Sequence, residues 1–256
     1  MKLALLSDIH SNRQALDACL QHARAHGADH FALLGDLVGY GADPAYVVQQ
    51  AMDLVAAGYT VIGGNHDAFA VQPPAGTDKG AHSMAAQGAL WTHEQLSPEQ
   101  RSFLAHLPLT AQVGGVLLVH ASAEAPENWR YVDNEIVAAE CLEAATKHPG
   151  VKHVFCGHVH QQTLYYRGTG RGLMRFTPTA GVPVPVPPHR QWVGTVGSVG
   201  QPRDGDPRAM YALLDTDHWH LRFERVPYAV ADAAAAILAT AGALPASFAH
   251  RLEVGR

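Results

Sequence analysis

Seven side chains with metal-binding atoms stand in five short clusters along this 256-residue chain. They are Asp8 and His10 in SDIH, Asp36 in GDLVGYG, Asn65 in GGNHD, His120 in LLVHAS, and His158 and His160 in GHVH. Each cluster follows a short apolar run that reads as a strand. The donor set is large enough for two metal ions side by side, and such a pair suits hydrolysis of a phosphoester. An imidazole-rich set with no cysteine points to Mn2+ or Fe first, with Zn2+, Co2+ or Ni2+ as further candidates; Mg2+ prefers oxygen and water.

Each cluster alone has an ordinary reading. Asp8 could cap the helix that follows. Side chains two apart on extended backbone face opposite ways, so Asp8 and His10 reach one ion only if the chain turns there. Asp36 follows Gly35, and aspartate is common in glycine-rich turns; as a ligand, its two oxygens allow it to bridge two ions. His66, beside Asn65, is placed to act as a general acid near neutral pH. Asp67 either orients His66 or holds its loop. The weight lies in the combination of clusters, all at strand ends.

Positioning these groups requires a strand–loop scaffold. Leu3 to Leu6, Phe31 to Leu34 and Thr60 to Ile62 read as buried strands, separated by helices over Asn12 to His26 and Asp43 to Ala57. Open α/β sheets carry ligands at such strand ends. Residues 68–108 break this rhythm with a loop at Pro73, Pro74 and Gly76, a helix over Ala81 to Trp91, and another from Ser97-Pro98. They read as a cap-like helical insertion, not a separate domain. Thr110 to Val113 with Val116 to Val119, and Thr163 to Arg167 with Leu173 to Phe176, read as hairpins. Val182 to Pro188 is too proline-rich for a central strand. Trp192 to Val196, Met210 to Leu214 and Leu221 to Val226 are further strands, and Ala231 to Ala241 a terminal helix. The expected architecture is α/β: one domain over 1–256, with two face-to-face mixed sheets flanked by helices and a C-terminal hairpin plus helix.

Composition narrows the function classes. Hydrophobic residues are 47% and charged residues 16%, as in a soluble globular protein. The net charge of −5 and the lack of a Lys/Arg-rich block make nucleic acid a poor partner. The three cysteines, Cys19, Cys141 and Cys156, match no zinc spacing and read as small buried hydrophobes. No apolar run reaches membrane-span length and none reads as a signal peptide, so the cytoplasm is the default location.

In this order, the motifs D8-I-H10, G35-D36-L-V-G39, G64-N65-H66-D67, V119-H120 and G157-H158-V159-H160 resemble the calcineurin-like metallophosphoesterase superfamily, in particular its small bacterial members. The GSVGQPRDGD loop adds to the likeness. The resemblance implies that Asp8, His10 and His160 hold one divalent ion, that Asn65, His120 and His158 hold the other, and that Asp36 bridges. It also implies His66 as the acid for the leaving oxygen and direct in-line attack by a metal-bridging hydroxide. Val119 departs from branches with glycine before the histidine. Asn12 stands where many relatives have glycine, and either binds substrate or caps the helix. Arg130 and Arg203 are candidates to hold a phosphate or carboxylate, or are surface residues. Trp129 and Tyr131 either stack on a base or pack internally. The expected substrate is a small phosphodiester or phosphomonoester, with a phosphoprotein phosphatase or a non-catalytic scaffold as alternatives. Homo-oligomerisation is left open.

Overall fold

The computed structural model describes every residue except 75–80, 169 and 171. Its elements, in chain order, begin β1 (Lys2–Leu6), α1 (Arg13–Ala25), β2 (His30–Leu34), α2 (Pro44–Ala56), β3 (Thr60–Ile62), α3 (Asn65–Val71), α4 (Ala81–Gln95) and α5 (Pro98–Ala105). There follow β4 (Thr110–Val113), β5 (Val116–Val119), α6 (Glu135–Ala145), β6 (His153–Cys156), β7 (Gln162–Arg167) and β8 (Leu173–Phe176). The chain ends with β9 (Pro183–Pro185), β10 (Trp192–Val196), β11 (Ala209–Asp215), β12 (His220–Val226), α7 (Val230–Leu238) and α8 (Ala246–Val254).

The strands form two six-stranded mixed sheets, β3-β2-β1-β11-β12-β9 and β4-β5-β6-β10-β7-β8. Strand alternation divides the core. In β1, Leu3 and Leu5 point between the sheets, where they meet Val116, Leu118, Phe155 and Leu164. Ala4 and Leu6 point outward onto Leu16, Cys19 and Leu20 of α1 and Val47, Val48 and Ala51 of α2. On the far side, Leu117, Val154 and Val193 pack on Val137, Cys141 and Leu142 of α6. Central strands are therefore buried on both faces, which explains their unbroken apolar runs.

Local signals account for the helix starts. Asn12 caps α1 by accepting from the Ala15 amide, Ser97 and Gln100 form a capping box on α5, and Asn134 caps α6. Asp43 precedes α2 but makes no side-chain cap bond; Pro44 alone marks that start. The proline-rich stretch supplies β9, an edge strand on β12, where missing N–H donors matter least. The loop expected at Pro73, Pro74 and Gly76, and the glycine turn between β7 and β8, lie partly outside the described residues.

Two elements differ from expectation. A helix, α3, begins at Asn65 itself. At the C-terminus a second helix, α8, follows α7. Its signal is Pro245 just before a periodic Phe248, Ala249 and Leu252, all three buried. With α7 these residues pack on Tyr40, Ala42 and Trp91, beside the strand-end loops.

Candidate metal centre

All seven candidate ligands meet at one end of the two sheets. Asp8 and His10 follow β1, Asp36 follows β2, Asn65 opens α3 after β3, His120 follows β5, and His158 and His160 follow β6. The turn that Asp8 and His10 require is made by left-handed backbone. Asp8, His10 and Ser11 have φ of 53°, 50° and 54°, and Asp36, His158 and His160 have 50°, 64° and 60°. Such conformations are strained for residues with a Cβ, typically by about 1–3 kcal/mol, and accumulate at functional sites. Of eleven non-glycine residues with positive φ among the described residues, five are candidate ligands.

Backbone bonds hold the strained loops to one another. The amides of Asp8, His10 and Ser11 donate to the carbonyls of Gly35, Asp36 and Leu37, and the Gly200 amide donates to Asp8. Within the second sheet the Gly157 amide donates to the His120 carbonyl, and across the sheets the His158 amide donates to Asp8 Oδ2 at 2.9 Å. A Cβ on Gly157 would overlap Ser7 and Asp8, so only glycine allows this approach.

The donors form two linked groups. Asp8 Oδ1 is 3.1 Å from His160 Nε2 and 3.9 Å from His10 Nε2. Asp36 Oδ2 lies 3.8 Å from His10 Nε2 and 3.3 Å from His120 Nε2. One carboxylate oxygen thus faces both groups. Asp36, His120 and His158 bring ligand atoms within 4.8 Å of one another, as do Asp8, His10 and His160. All of these side chains are buried.

The donor chemistry fits cations. Nδ1 of His10, His120 and His160 lies 3.1, 2.8 and 2.6 Å from the carbonyls of Val38, Leu34 and Gln201. A carbonyl only accepts, so each Nδ1 carries a proton and, in the neutral ring, each Nε2 presents a lone pair inward. His10 and His160 bring their Nε2 atoms to 3.1 Å, two lone pairs that repel unless a positive charge lies near. Asp8 Oδ1, Asn65 Oδ1 and His120 Nε2 are buried without hydrogen-bond partners. Buried polar atoms are rarely left so, and a pair of bound ions would satisfy all three.

Electrostatics agree. Burial pushes the Asp36 carboxyl up, but the fields of His120 and His66 outweigh this and hold it well below the usual carboxylate range. Burial would lower His120; the charge of nearby Asp36 reverses that and raises it to about 9. Burial takes His158 down to about 4. A cation here competes with a proton for His120.

The remaining expected site residues separate into different roles. His66 is half-buried, the least enclosed imidazole of the group, and packs edge-on to His10 with ring centroids 5.0 Å apart. Its nitrogen also falls within 4.8 Å of donor atoms of His10 and Asp36, and burial lowers its pKa. Asp67 does not orient His66. Its Oδ1 accepts from the Leu37 and Val38 amides and its Oδ2 from Gly64, fastening the β2 loop to α3. Burial and Asp36 push its carboxyl up to about 7. Asn12 is a structural residue: beyond its cap bond, its amide donates to the Gly200 carbonyl and Tyr228 hydroxyl, and it is buried. Arg130 is turned to Glu124, at 3.2 Å, and to Glu140, so its charge is already matched. Arg203 donates to Gln201 and, among the described residues, has no carboxylate partner; its charge is felt at His66 and Tyr40.

Sequence reasoning missed the carbonyls of Leu34, Val38 and Gln201 as orienting groups, because a backbone oxygen has no signature in a sequence. It also missed Tyr40, whose ring lies 4.6 Å from His66 and 5.0 Å from Phe248 of α8.

A two-sheet sandwich with histidines and carboxylates converging at its strand ends fits a metallophosphoesterase. The chain belongs to the calcineurin-like phosphoesterase superfamily, whose sequence model matches residues 1–218. It is similar to a metallophosphoesterase of known structure from Sphaerobacter thermophilus, with 31% identity, a TM-score of 0.84 and 100% of each chain covered. An uncharacterized protein of Methanocaldococcus jannaschii is 30% identical over 99% of this chain and 98% of its own length. A hypothetical protein of Pyrococcus horikoshii shares the fold at 20% identity, with a TM-score of 0.74 over 100% of this chain and 98% of that one. Among the described residues no helix is long and apolar enough to cross a membrane.

Proposed function

We propose that this protein is a dinuclear-metal phosphoesterase that hydrolyses small-molecule phosphodiesters or phosphomonoesters. The observation that carries this reading is the position of Asp36 Oδ2 between His10 Nε2 and His120 Nε2, joining two ligand groups through one oxygen. Asp8, His10 and His160 would hold one ion; Asn65, His120 and His158 would hold the other. Two divalent ions, Mn2+ or Fe by the imidazole-rich set, would supply Lewis acidity toward phosphoryl oxygens and acidify the attacking water.

The chain's own groups do the rest. His66, at the open side of the group, would give a proton to the leaving oxygen. Asp67 keeps the Asp36 loop and the start of α3 in register, so Asn65 and His66 stay beside Asp36. Arg203 brings a positive charge to the same mouth, suited to a phosphoryl oxygen or a second anionic group. The chain's net charge of −5 disfavours a long polynucleotide. Three free, buried cysteines are compatible with a cytoplasmic location.

A substrate panel tests the proposal. Protein loaded with Mn2+ is assayed against bis-p-nitrophenyl phosphate, p-nitrophenyl phosphate, nucleotides and a phosphopeptide, with elemental analysis of the same sample. Turnover of the small esters at close to two ions per chain is expected. Turnover of the phosphopeptide alone would make it a protein phosphatase, and no turnover with any metal would make it a scaffold.

A further inference from the structure

Three aromatic side chains among the described residues are more than a third exposed: Phe69 at 36%, Phe176 at 41% and Tyr131 at 48%. Phe176 lies on the edge strand β8. The other two lie against histidines of the metal centre. Phe69 is edge-on to His66, with centroids 5.8 Å apart at 70°, and Tyr131 is stacked on His158 at 4.0 Å and 18°.

The segment that delivers Tyr131 is built for this placement. Between β5 and α6 the chain takes left-handed φ of 47° at Ala125 and 52° at Trp129. Trp129 then sits edge-on to His120 at 5.9 Å. Arg130, between the two aromatics, is drawn away by Glu124 and Glu140. What the segment presents to the metal centre is aromatic surface without charge. Tyr131 covers His158 with one face and leaves nearly half its surface to solvent. A flat apolar face left open beside a polar centre gains most from another flat ring laid on it.

We infer that the open face of Tyr131 is a stacking platform that selects phosphoesters bearing a flat aromatic group, nucleotides being the biological form. The inference rests on the phosphoester reading above and narrows it. Tyr131 is a specificity-determining residue, with Phe69 as the apolar wall on the His66 side.

The test compares esters that differ in the ring. With Mn2+-loaded protein, kcat and KM are measured for an adenosine cyclic phosphate, for p-nitrophenyl phosphate and for glycerol phosphate. Tyr131→Ala is expected to raise KM for the ring-bearing esters by about tenfold, the scale of one base–aromatic stack. It should leave metal content and the KM for the glycerol ester unchanged, and Tyr131→Phe should restore the wild-type KM. A rise that is the same for glycerol phosphate, or a loss of metal, would reduce Tyr131 to a support for His158 and overturn the inference. Calorimetric titration of the loaded protein with adenosine monophosphate supplies an independent readout. If no ester is turned over, the phosphoester reading fails, while weaker binding in Tyr131→Ala still upholds the platform and equal binding sinks it.

Discussion

Three imidazoles of the centre are fixed through one nitrogen so that the other is free. The carbonyls of Val38, Leu34 and Gln201 take the Nδ1 protons of His10, His120 and His160. Among the described residues His66 has no such anchor; Tyr40, His10 and Phe69 pack around its ring. A residue placed by packing at the open side serves proton transfer better than structural ligation. His66→Ala is therefore expected to cut kcat by about 10²–10⁴-fold, with metal content near wild type by elemental analysis. Loss of both ions in this variant would make His66 a ligand instead. At this scale the residue types were legible, because ligands must be His, Asp or Asn at strand ends. The jobs of Asp67 and Asn12 were not: the groups they bond, from Val38 and Leu37 to Gly200 and Tyr228, are up to 216 positions away.

Strands bring the donor loops to one edge, and the loops aim the donors. Apolar runs marked the central strands well, since burial on both faces leaves no place for polar residues. Left-handed backbone at Asp8, His10, Asp36, His158 and His160 was not legible, because it is imposed by hydrogen bonds between loops. Within β6, His153 is a structural histidine. Its ring stacks on Trp219 at 4.5 Å, and its Nε2 donates to the Val186 carbonyl at 2.8 Å. Burial holds its pKa down to about 4, against about 6.5 in an unfolded chain. Between those values the unfolded state binds more protons, so stability is lost as pH falls through the window. Urea unfolding of His153→Phe is expected to show a flatter loss from pH 6.5 to 4 than wild type. A constant offset of about 1–2 kcal/mol is also expected, from the Val186 carbonyl left unpaired. Identical slopes would remove His153 from the account.

At the scale of the whole molecule, the centre ties the sheets together. Donors from the first sheet's loops and from the second's share Asp8 and Asp36. Ions bound only by the folded state add stability by mass action, about 2.7 kcal/mol at a hundred times Kd. Exhaustive chelation is expected to lower Tm by several degrees and abolish ester hydrolysis, and Mn2+ should restore both. An unchanged Tm with full activity after chelation would show that no ion is part of the working protein. The C-terminal helices belong to this scale too. They lie beyond the family-matched residues 1–218, yet Phe248 packs on Tyr40, which faces His66.

By itself the sequence determined the two-sheet class, most of the strands along the chain and the seven side chains able to bind metal. Those follow from burial and donor chemistry, which act through residue type and local spacing. Tertiary structure alone decided that Asp36 faces both groups, that Asp67 and Asn12 hold loops, that Arg130 is matched by two glutamates and that Tyr131 lies open on His158. Each of these depends on a hydrogen bond, ion pair or ring contact with a residue from another part of the chain, and only folding brings such partners within reach.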